Sequence, residues 1–318
     1  MDERDDRLTT AHGFQSAIGN RQSAIAAKLA LFARDIKVHH TVFALPFALL
    51  STFLAAGGMP APIKLLLILV CMVTARTVAM SANRLLDADL DAQNPRTARR
   101  AIPTGALSRM FFGAVVVACA AAFVAATALF QLLYHNPWPL VFSVPVLLFI
   151  SAYPLLKRFS TLCHYYLGAA LALAPICAWV AIKGDIELPP ILMFIAVLFW
   201  TAGFDIIYGC QDYEADVRCG VYSIPAKLGV GRALWVARLS HAVSVAALVL
   251  LGFSSPFLGL LYFAGVALAV VLLVVEHRLV RENDLSRLGV AFFAMNGILS
   301  VAVGTLGIAD VFLRARGR

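Results

Sequence analysis

Nine stretches of this chain are apolar for about the length that crosses a bilayer. No other feature limits the fold as tightly. A hydrocarbon core about 30 Å thick needs roughly 20 apolar residues in helical form. The stretches fall near 41–58, 62–83, 106–132, 138–155, 162–182, 190–210, 233–252, 256–276 and 289–313. The stretch 138–155 is the shortest and carries Pro145 and Pro154. Composition agrees: 61% of the 318 residues are hydrophobic and 14% are charged, with a mean hydropathy of +0.84. A backbone in lipid must satisfy its own hydrogen bonds, so apolar segments of this length become helices. The expected fold is all-α, a polytopic membrane bundle of about nine transmembrane helices around a central cavity. Residues 39–318 form the single transmembrane domain, and 1–38 an N-terminal cytoplasmic or interfacial segment. Its first twenty or so residues read as disordered, and 22–38 as an amphipathic helix.

The net charge of +8 does not point to nucleic acid, because the basic residues lie in loops between apolar spans. Arg4, Arg7, Arg21, Lys28, Arg34 and Lys37 precede the first span. Later basic loops hold Arg96, Arg99, Arg100 and Arg109, then Lys157 and Arg158, then Arg218, Lys227 and Arg232, then Arg278, Arg281 and Arg287. The alternate loops hold almost none. The positive-inside bias makes the basic side cytoplasmic, in an integral protein of the cytoplasmic (inner) membrane. On this count Arg314, Arg316 and Arg318 fall on the wrong side. The six cysteines form no Cys-x-x-Cys pair and mostly lie in or beside apolar runs. They read as small hydrophobes rather than disulfides or zinc ligands.

Two acidic stretches sit at ends of apolar spans. In Asn83-Arg84-Leu85-Leu86-Asp87-Ala88-Asp89-Leu90-Asp91, the residues Asn83, Asp87 and Asp91 are four apart. They share one helical face, with Asp89 opposite. In the second stretch Asp212 and Asp216 are again four apart, and Asp205, seven before Asp212, joins their face. Like charges stacked on one face repel, and carboxylates are costly near hydrocarbon. Hard oxygen ligands in this arrangement suit Mg²⁺, which usually links one or two carboxylates to substrate phosphates. A weak internal repeat supports the pairing of the stretches: Asp87 and Asp91 are echoed by Asp212 and Asp216, and Ile102-Pro103 by Ile224-Pro225 at nearly the same offset. Sites often form between such repeats.

Several further residues are candidates. Arg96 and Arg100 follow the first acidic helix, and arginine forks suit phosphate oxygens. Tyr153, Lys157 and Arg158 end the fourth span, with Tyr153 and Lys157 four apart. Tyr208 lies one turn beyond Asp205 and could flank a cation with its ring. Lys227 follows the second acidic stretch. Arg76 lies inside the second span and should face the protein interior. His39, His40 and His164 read as structural or interfacial.

These motifs, in order, resemble the signatures of the UbiA family of intramembrane aromatic prenyltransferases. The first is Asn83-x3-Asp87-x3-Asp91 with Arg96-Thr97-Ala98-Arg99-Arg100-Ala101-Ile102-Pro103-Thr104-Gly105. The second is the loop Tyr153-Pro154-Leu155-Leu156-Lys157-Arg158. The third is Asp205-x2-Tyr208-x3-Asp212-x3-Asp216. The stretch His40-Thr41-Val42-Phe43-Ala44-Leu45-Pro46-Phe47-Ala48 is similar to the 4-hydroxybenzoate polyprenyltransferase branch. Arg84 departs from the Asp usual after the first Asn of the family, which removes a carboxylate near the metal. Arg100-Ala101-Ile102-Pro103-Thr104-Gly105 stands where Arg-Pro-Leu-Pro-Ser-Gly is common.

The resemblance implies an Mg²⁺-dependent transfer of a polyprenyl group from polyprenyl diphosphate to an aromatic acceptor in quinone biosynthesis. It implies that Asp87, Asp91, Asp212 and Asp216, with Asn83, hold the metal through the diphosphate. Arg96, Arg100, Lys157, Arg158 and Lys227 would bind diphosphate oxygens, Asp205 and Tyr208 would bind substrate, and Tyr153 would be catalytic with the four aspartates, its ring facing the allylic cation. Two alternatives stay open: prenylation of a dihydroxynaphthoate on the way to menaquinone, and, from another class, a divalent-cation transporter. Transporter ligands usually lie near the midplane, whereas these acids gather beside a basic set at one face.

Overall fold

The computed structural model describes residues 26–315, so the expected disorder of 1–20 and the side assigned to 316–318 lie outside the described residues. Every described stretch expected to be apolar and spanning is helical. The helices are α1 (26–35), α2 (Leu45–Ala56), α3 (Pro62–Gln93), α4 (Arg109–Tyr134), α5 (Trp138–Leu156), α6 (Cys163–Lys183) and α7 (Leu188–Gly209), then α8 (Tyr213–Cys219), α9 (Ile224–Leu228), α10 (Val230–Ser254), α11 (Leu260–Leu279), a short turn α12 (Leu288–Val290) and α13 (Asn296–Ala315). No strand occurs among the described residues beyond one isolated bridge, Arg281 to Asp284.

Eight helical segments are long and apolar enough to cross a membrane. The first of the nine expected spans is shorter. Pro46 stands in the first turn of α2, and Gly57 closes the helix at φ 62° after 12 residues. At 1.5 Å per residue, that is about 18 Å, well short of a bilayer core. A 3-10 turn, Val38–Val42, leads into it. In contrast α3 has 32 residues, about 48 Å of helix. Its excess length is the polar last part that carries Asn83, Asp87 and Asp91. A π-helical turn, Ala291–Met295, precedes α13.

Burial identifies the centre of the bundle. In the span that starts at Leu188, 61% of the most apolar window is buried, against 22% in each of α3, α4 and α5. Large apolar side chains on the outer helices, such as Val73, Val117, Leu132 and Leu148, are exposed. That is the surface a lipid-facing helix presents. Helices in lipid gain little from the hydrophobic effect between them, so close approach and polar bonds hold them together. Small residues on α6 and α7 permit that approach. A Cβ on Gly168 would stand 2.3 Å from the Leu198 carbonyl oxygen, and one on Gly203 would stand 2.3 Å from the His241 ring.

Polar links run between helices. Ser51 donates to the Pro175 carbonyl at 2.6 Å, and Ser244 to the Ala196 carbonyl at 2.8 Å. The Trp200 indole N–H donates to Asn296 Oδ1 at 2.6 Å, and Asn296 Nδ2 donates to Glu276 at 2.8 Å. This chain joins the middle of α7 to the last turn of α11 and the first residue of α13.

Gly168→Leu should therefore push α6 away from α7. Overpacking of this kind costs about 1–3 kcal/mol. We expect a lower thermal unfolding midpoint for the purified protein in detergent; an unchanged midpoint would mean the two backbones are not in contact.

Candidate active site

The first acidic face forms as its spacing requires. Asn83, Asp87 and Asp91 are buried on α3, while Asp89 faces out and pairs with Arg109 at 2.6 Å. The Asp87 carboxylate accepts from Lys157 Nζ and from Asn83 Nδ2, both at 2.7 Å, through Oδ2. Its Oδ1 is buried without a hydrogen-bond partner. The Arg100 guanidinium donates to both Asp91 oxygens, at 2.7 and 2.6 Å. Arg84 turns away from the acids. It donates to Asn83 Oδ1 at 2.5 Å and pairs with Asp35 of α1 at 2.9 Å.

The second acidic face is not one continuous helix. After Gly209 the chain tightens into a 3-10 turn, Cys210–Asp212, before α8 begins. This turn brings Asp212 against the loop that follows α3. Arg96 grips it with a fork, Nε to Oδ1 at 2.8 Å and Nη2 to Oδ2 at 2.6 Å. Asn94, the cap residue of α3, adds a donor to Oδ1 at 2.9 Å. Burial alone would lower the Arg96 pKa, but the hydrogen bonds and charge of Asp212 outweigh it and raise the group above its ordinary value. Asp216 lies near Ser223, Asp212, Lys157 and His164. Asp205 Oδ2 stands 2.7 Å from His164 Nδ1. The His164 Nε2 takes the Ile224 backbone N–H at 3.3 Å, so Nδ1 carries the proton and donates to Asp205.

The two stretches therefore meet. Asp87, Asp91, Asp205, Asp212 and Asp216 all line one cavity of about 300 Å³, together with Asn83, Arg96, Arg100, Tyr153, Lys157 and Tyr208. The first acidic helix and the second are thus bridged by cations. Lys157 acts on Asp87 and Asp216, and Arg96 on Asp212 and Asp91. Two expected residues are elsewhere. Arg158 donates to the Leu86 carbonyl, and Lys227 lies 4.1 Å over the Tyr222 ring; neither lines the cavity. Arg158 thus ties the end of α5 to α3, and Lys227 packs on the loop before α9.

Lining residues outside the expected site include Lys37, Arg84, Asn94 and His164. Arg76 lines it as well, and donates to the Lys37 carbonyl at 2.9 Å while its Nε is buried without a partner. Among the described residues, no three acidic, histidine or cysteine side chains gather around one point. An ion here would take one or two carboxylates at a time and complete its shell from a bound phosphate, which is how Mg²⁺ is usually held. The donor set fits that ion: hard oxygens, one of them the unpartnered Asp87 Oδ1.

A second cavity of about 340 Å³ adjoins the first and is lined by apolar side chains such as Ile68, Phe123, Phe130, Phe142 and Val146. Arg76, Met80, Tyr153, Leu167 and Leu171 line both. A polar chamber and an apolar one thus share a wall of five side chains.

The profile of the UbiA prenyltransferase family matches residues 44–298. The 4-hydroxybenzoate octaprenyltransferase of Xanthomonas euvesicatoria pv. vesicatoria is 31% identical over 257 residues, which are 80% of this chain and 82% of that one. The mitochondrial 4-hydroxybenzoate polyprenyltransferase of Arabidopsis thaliana is 33% identical over 199 residues, 61% of this chain and 46% of that one. Among solved structures, an apo UbiA homolog from Aeropyrum pernix K1 aligns with a TM-score of 0.73 at 31% identity, covering 86% of this chain and 97% of that one. A UbiA homolog from Archaeoglobus fulgidus, bound to DMAPP and Mg²⁺, shares the fold with a TM-score of 0.63 at 19% identity, covering 87% and 99%.

Removing one member of a buried ion pair leaves an uncompensated charge, at a cost of about 3–5 kcal/mol when both are buried. Lys157 is 28% exposed and Asp87 1%, so the lower end, about 3 kcal/mol, is expected for Lys157→Met. Its thermal midpoint should fall, and adding Asp87→Asn should restore most of it. No fall in the single variant would dismiss the pair.

Proposed function

Because the chain belongs to the UbiA prenyltransferase family and is an aromatic prenyltransferase, we propose that it moves a polyprenyl group from polyprenyl diphosphate to an aromatic acid of the 4-hydroxybenzoate type. The product would be a quinone precursor. The observation that carries this reading is the shared wall: an acid-and-base chamber suited to a diphosphate lies directly against an apolar chamber suited to a tail. A cation transporter has no use for the second chamber.

The reaction breaks an allylic C–O bond, forms a C–C bond to the ring, and releases a ring proton. Bound Mg²⁺ would neutralise the charge that builds on the leaving diphosphate, held by Asp87, Asp91, Asp212 and Asp216, with Asn83 as a neutral oxygen donor. That a protein of this fold has been seen with DMAPP and Mg²⁺ supports the assignment. Arg96, Arg100 and Lys157 exchange their carboxylate partners for diphosphate oxygens, and forked arginines are suited to that. Tyr153 and Tyr208, with Phe204 and Phe292 on the same lining, offer aromatic faces to a developing allylic cation. They also keep water from capturing it. Arg76 lines both chambers and its Nε has no hydrogen-bond partner, so we assign it to the acceptor's carboxylate. Asp205 accepts the released proton at Oδ1, since His164 occupies Oδ2. Arg158 and Lys227 are not among the lining residues and are left out of the diphosphate set.

Basic loops on one side of the apolar spans support an inner-membrane protein whose polar chamber faces the cytoplasm.

Asp87→Asn and Asp212→Asn should each cut prenyl transfer by at least about a hundredfold. Chelating Mg²⁺ should abolish transfer in the wild type, measured with radiolabelled donor and purified protein. Full transfer in either variant would remove the metal role. Arg76→Gln should raise KM for the aromatic acid about tenfold or more, the worth of one charge-assisted hydrogen bond, and leave KM for the donor unchanged. Offering hydroxybenzoate and dihydroxynaphthoate side by side decides the acceptor.

A further inference from the structure

The N-terminal helix α1 is amphipathic, and its apolar side is committed. Phe32 and Ile36 are buried against Ala101, Leu107 and Phe112, with the Phe32 ring edge-on to Phe111 and Phe112 at 5.5 Å. Its last residue, Asp35, fastens three pieces of chain at once. Asp35 Oδ2 accepts from Arg84 Nε at 2.9 Å, its carbonyl accepts from Arg84 Nη2 at 2.6 Å, and its Oδ1 accepts from the Ala101 N–H at 2.9 Å. Arg84 is 2% exposed and Asp35 7%. The arginine that replaces a family carboxylate is therefore neutralised from outside the signature, and the same contact docks α1 onto the acidic helix and the Arg100 loop.

Two residues on, Lys37 adopts φ 50°, a left-handed conformation uncommon for a residue with a side chain. Two contacts hold it there: its N–H donates to the Arg34 carbonyl at 3.1 Å, and its carbonyl accepts from Arg76 at 2.9 Å. This turn aims the ammonium into the polar chamber. Lys37 Nζ stands 3.3 Å from the Tyr208 hydroxyl and 5.6 Å from the ring centroid. Arg96 approaches the same hydroxyl, at 3.4 Å, from its Asp212 side. Arg84, Arg96, Arg100 and Lys157 each have a carboxylate within ion-pair distance. Among the described residues, Lys37 has none. A half-buried ammonium without a counter-charge is costly, and an arriving anion removes that cost.

Resting on the donor reading above, we propose that α1 is a working wall of the active site: Lys37 is a further ligand for the diphosphate of the prenyl donor, and the Asp35–Arg84 contact is the latch that positions it. The diphosphate is favoured over the acceptor's carboxylate because Lys37 lines the polar chamber alone and shares the Tyr208 hydroxyl with Arg96, whereas Arg76 lines both chambers. Lys37 touches substrate. Asp35 is a positioning residue.

The test uses the full chain in detergent, with geranylgeranyl diphosphate and Mg²⁺ as the probe, by calorimetric titration and by transfer kinetics. Lys37→Met should weaken diphosphate binding and raise donor KM about tenfold, with acceptor KM unchanged, and Lys37→Arg should recover most of the loss. Asp35→Asn should produce the same donor-specific defect, and adding Lys37→Met to it should add little. The exchange Asp35→Arg with Arg84→Asp should restore donor affinity if the latch acts as a pair. Unaltered donor affinity in Lys37→Met, with the wild type binding and transferring normally, overturns the role of Lys37 alone. A defect confined to the acceptor KM overturns the diphosphate assignment. Failure of the wild type to bind the diphosphate overturns the donor reading and Lys37's role with it.

Discussion

A carboxylate at the edge of hydrocarbon survives only beside a positive charge or a donated proton. In this protein that requirement joins parts of the chain that are far apart in sequence. Asp87 on α3 pairs with Lys157 at the end of α5. Asp212 beyond α7 pairs with Arg96 from the loop after α3. Asp205 on α7 takes the proton of His164 on α6, and Arg84 on α3 takes Asp35 from α1. Each pair crosses from one helix or loop to another, so the polar end of the bundle is held together by the groups proposed to do the chemistry. The apolar helices are held differently, by glycine-mediated contact at Gly168 and Gly203 and by the Trp200–Asn296–Glu276 chain.

The same pairing explains why the site was only partly legible. The spans were readable because hydrocarbon demands about 20 apolar residues wherever a helix crosses. The face of Asn83, Asp87 and Asp91 was readable because helical periodicity puts them there whatever surrounds them. The short α2 was not, since Gly57 ends it through a left-handed backbone angle that composition does not reveal. Nor was the 3-10 turn at Cys210–Asp212, which interrupts what looks like one acidic helix. His164 and Asp35 carry no local sign of function; their roles come from partners 41 and 49 positions away. Arg158 and Lys227 are the converse case. A basic residue at a span end looks the same whether it serves topology, a neighbouring helix or a ligand; here Arg158 bonds to Leu86 of α3 and Lys227 lies over the Tyr222 ring.

The charge balance of the chamber bears on the order of binding. Its lining holds five carboxylates: Asp87, Asp91, Asp205, Asp212 and Asp216. It also holds Lys37, Arg76, Arg96, Arg100 and Lys157, besides Arg84, which Asp35 neutralises. Positive and negative groups nearly cancel. A diphosphate entering alone would bring several negative charges into a chamber already in balance and would have to break the existing pairs to find donors. Entering with divalent cations, it exchanges like for like. On the proposed reading Asp87, Asp91, Asp212 and Asp216 would hold the cations, and Arg96, Arg100 and Lys157, so released, would take the phosphate oxygens. Low dielectric makes an unmatched charge expensive there, so near-neutrality at each stage is what allows an anionic headgroup to enter a membrane protein and leave again. On the proposed reading the ion pairs seen across the chamber would stand in for the metal–diphosphate complex, and Lys37 and Arg76, which among the described residues have no carboxylate within ion-pair distance, would take the substrate anions.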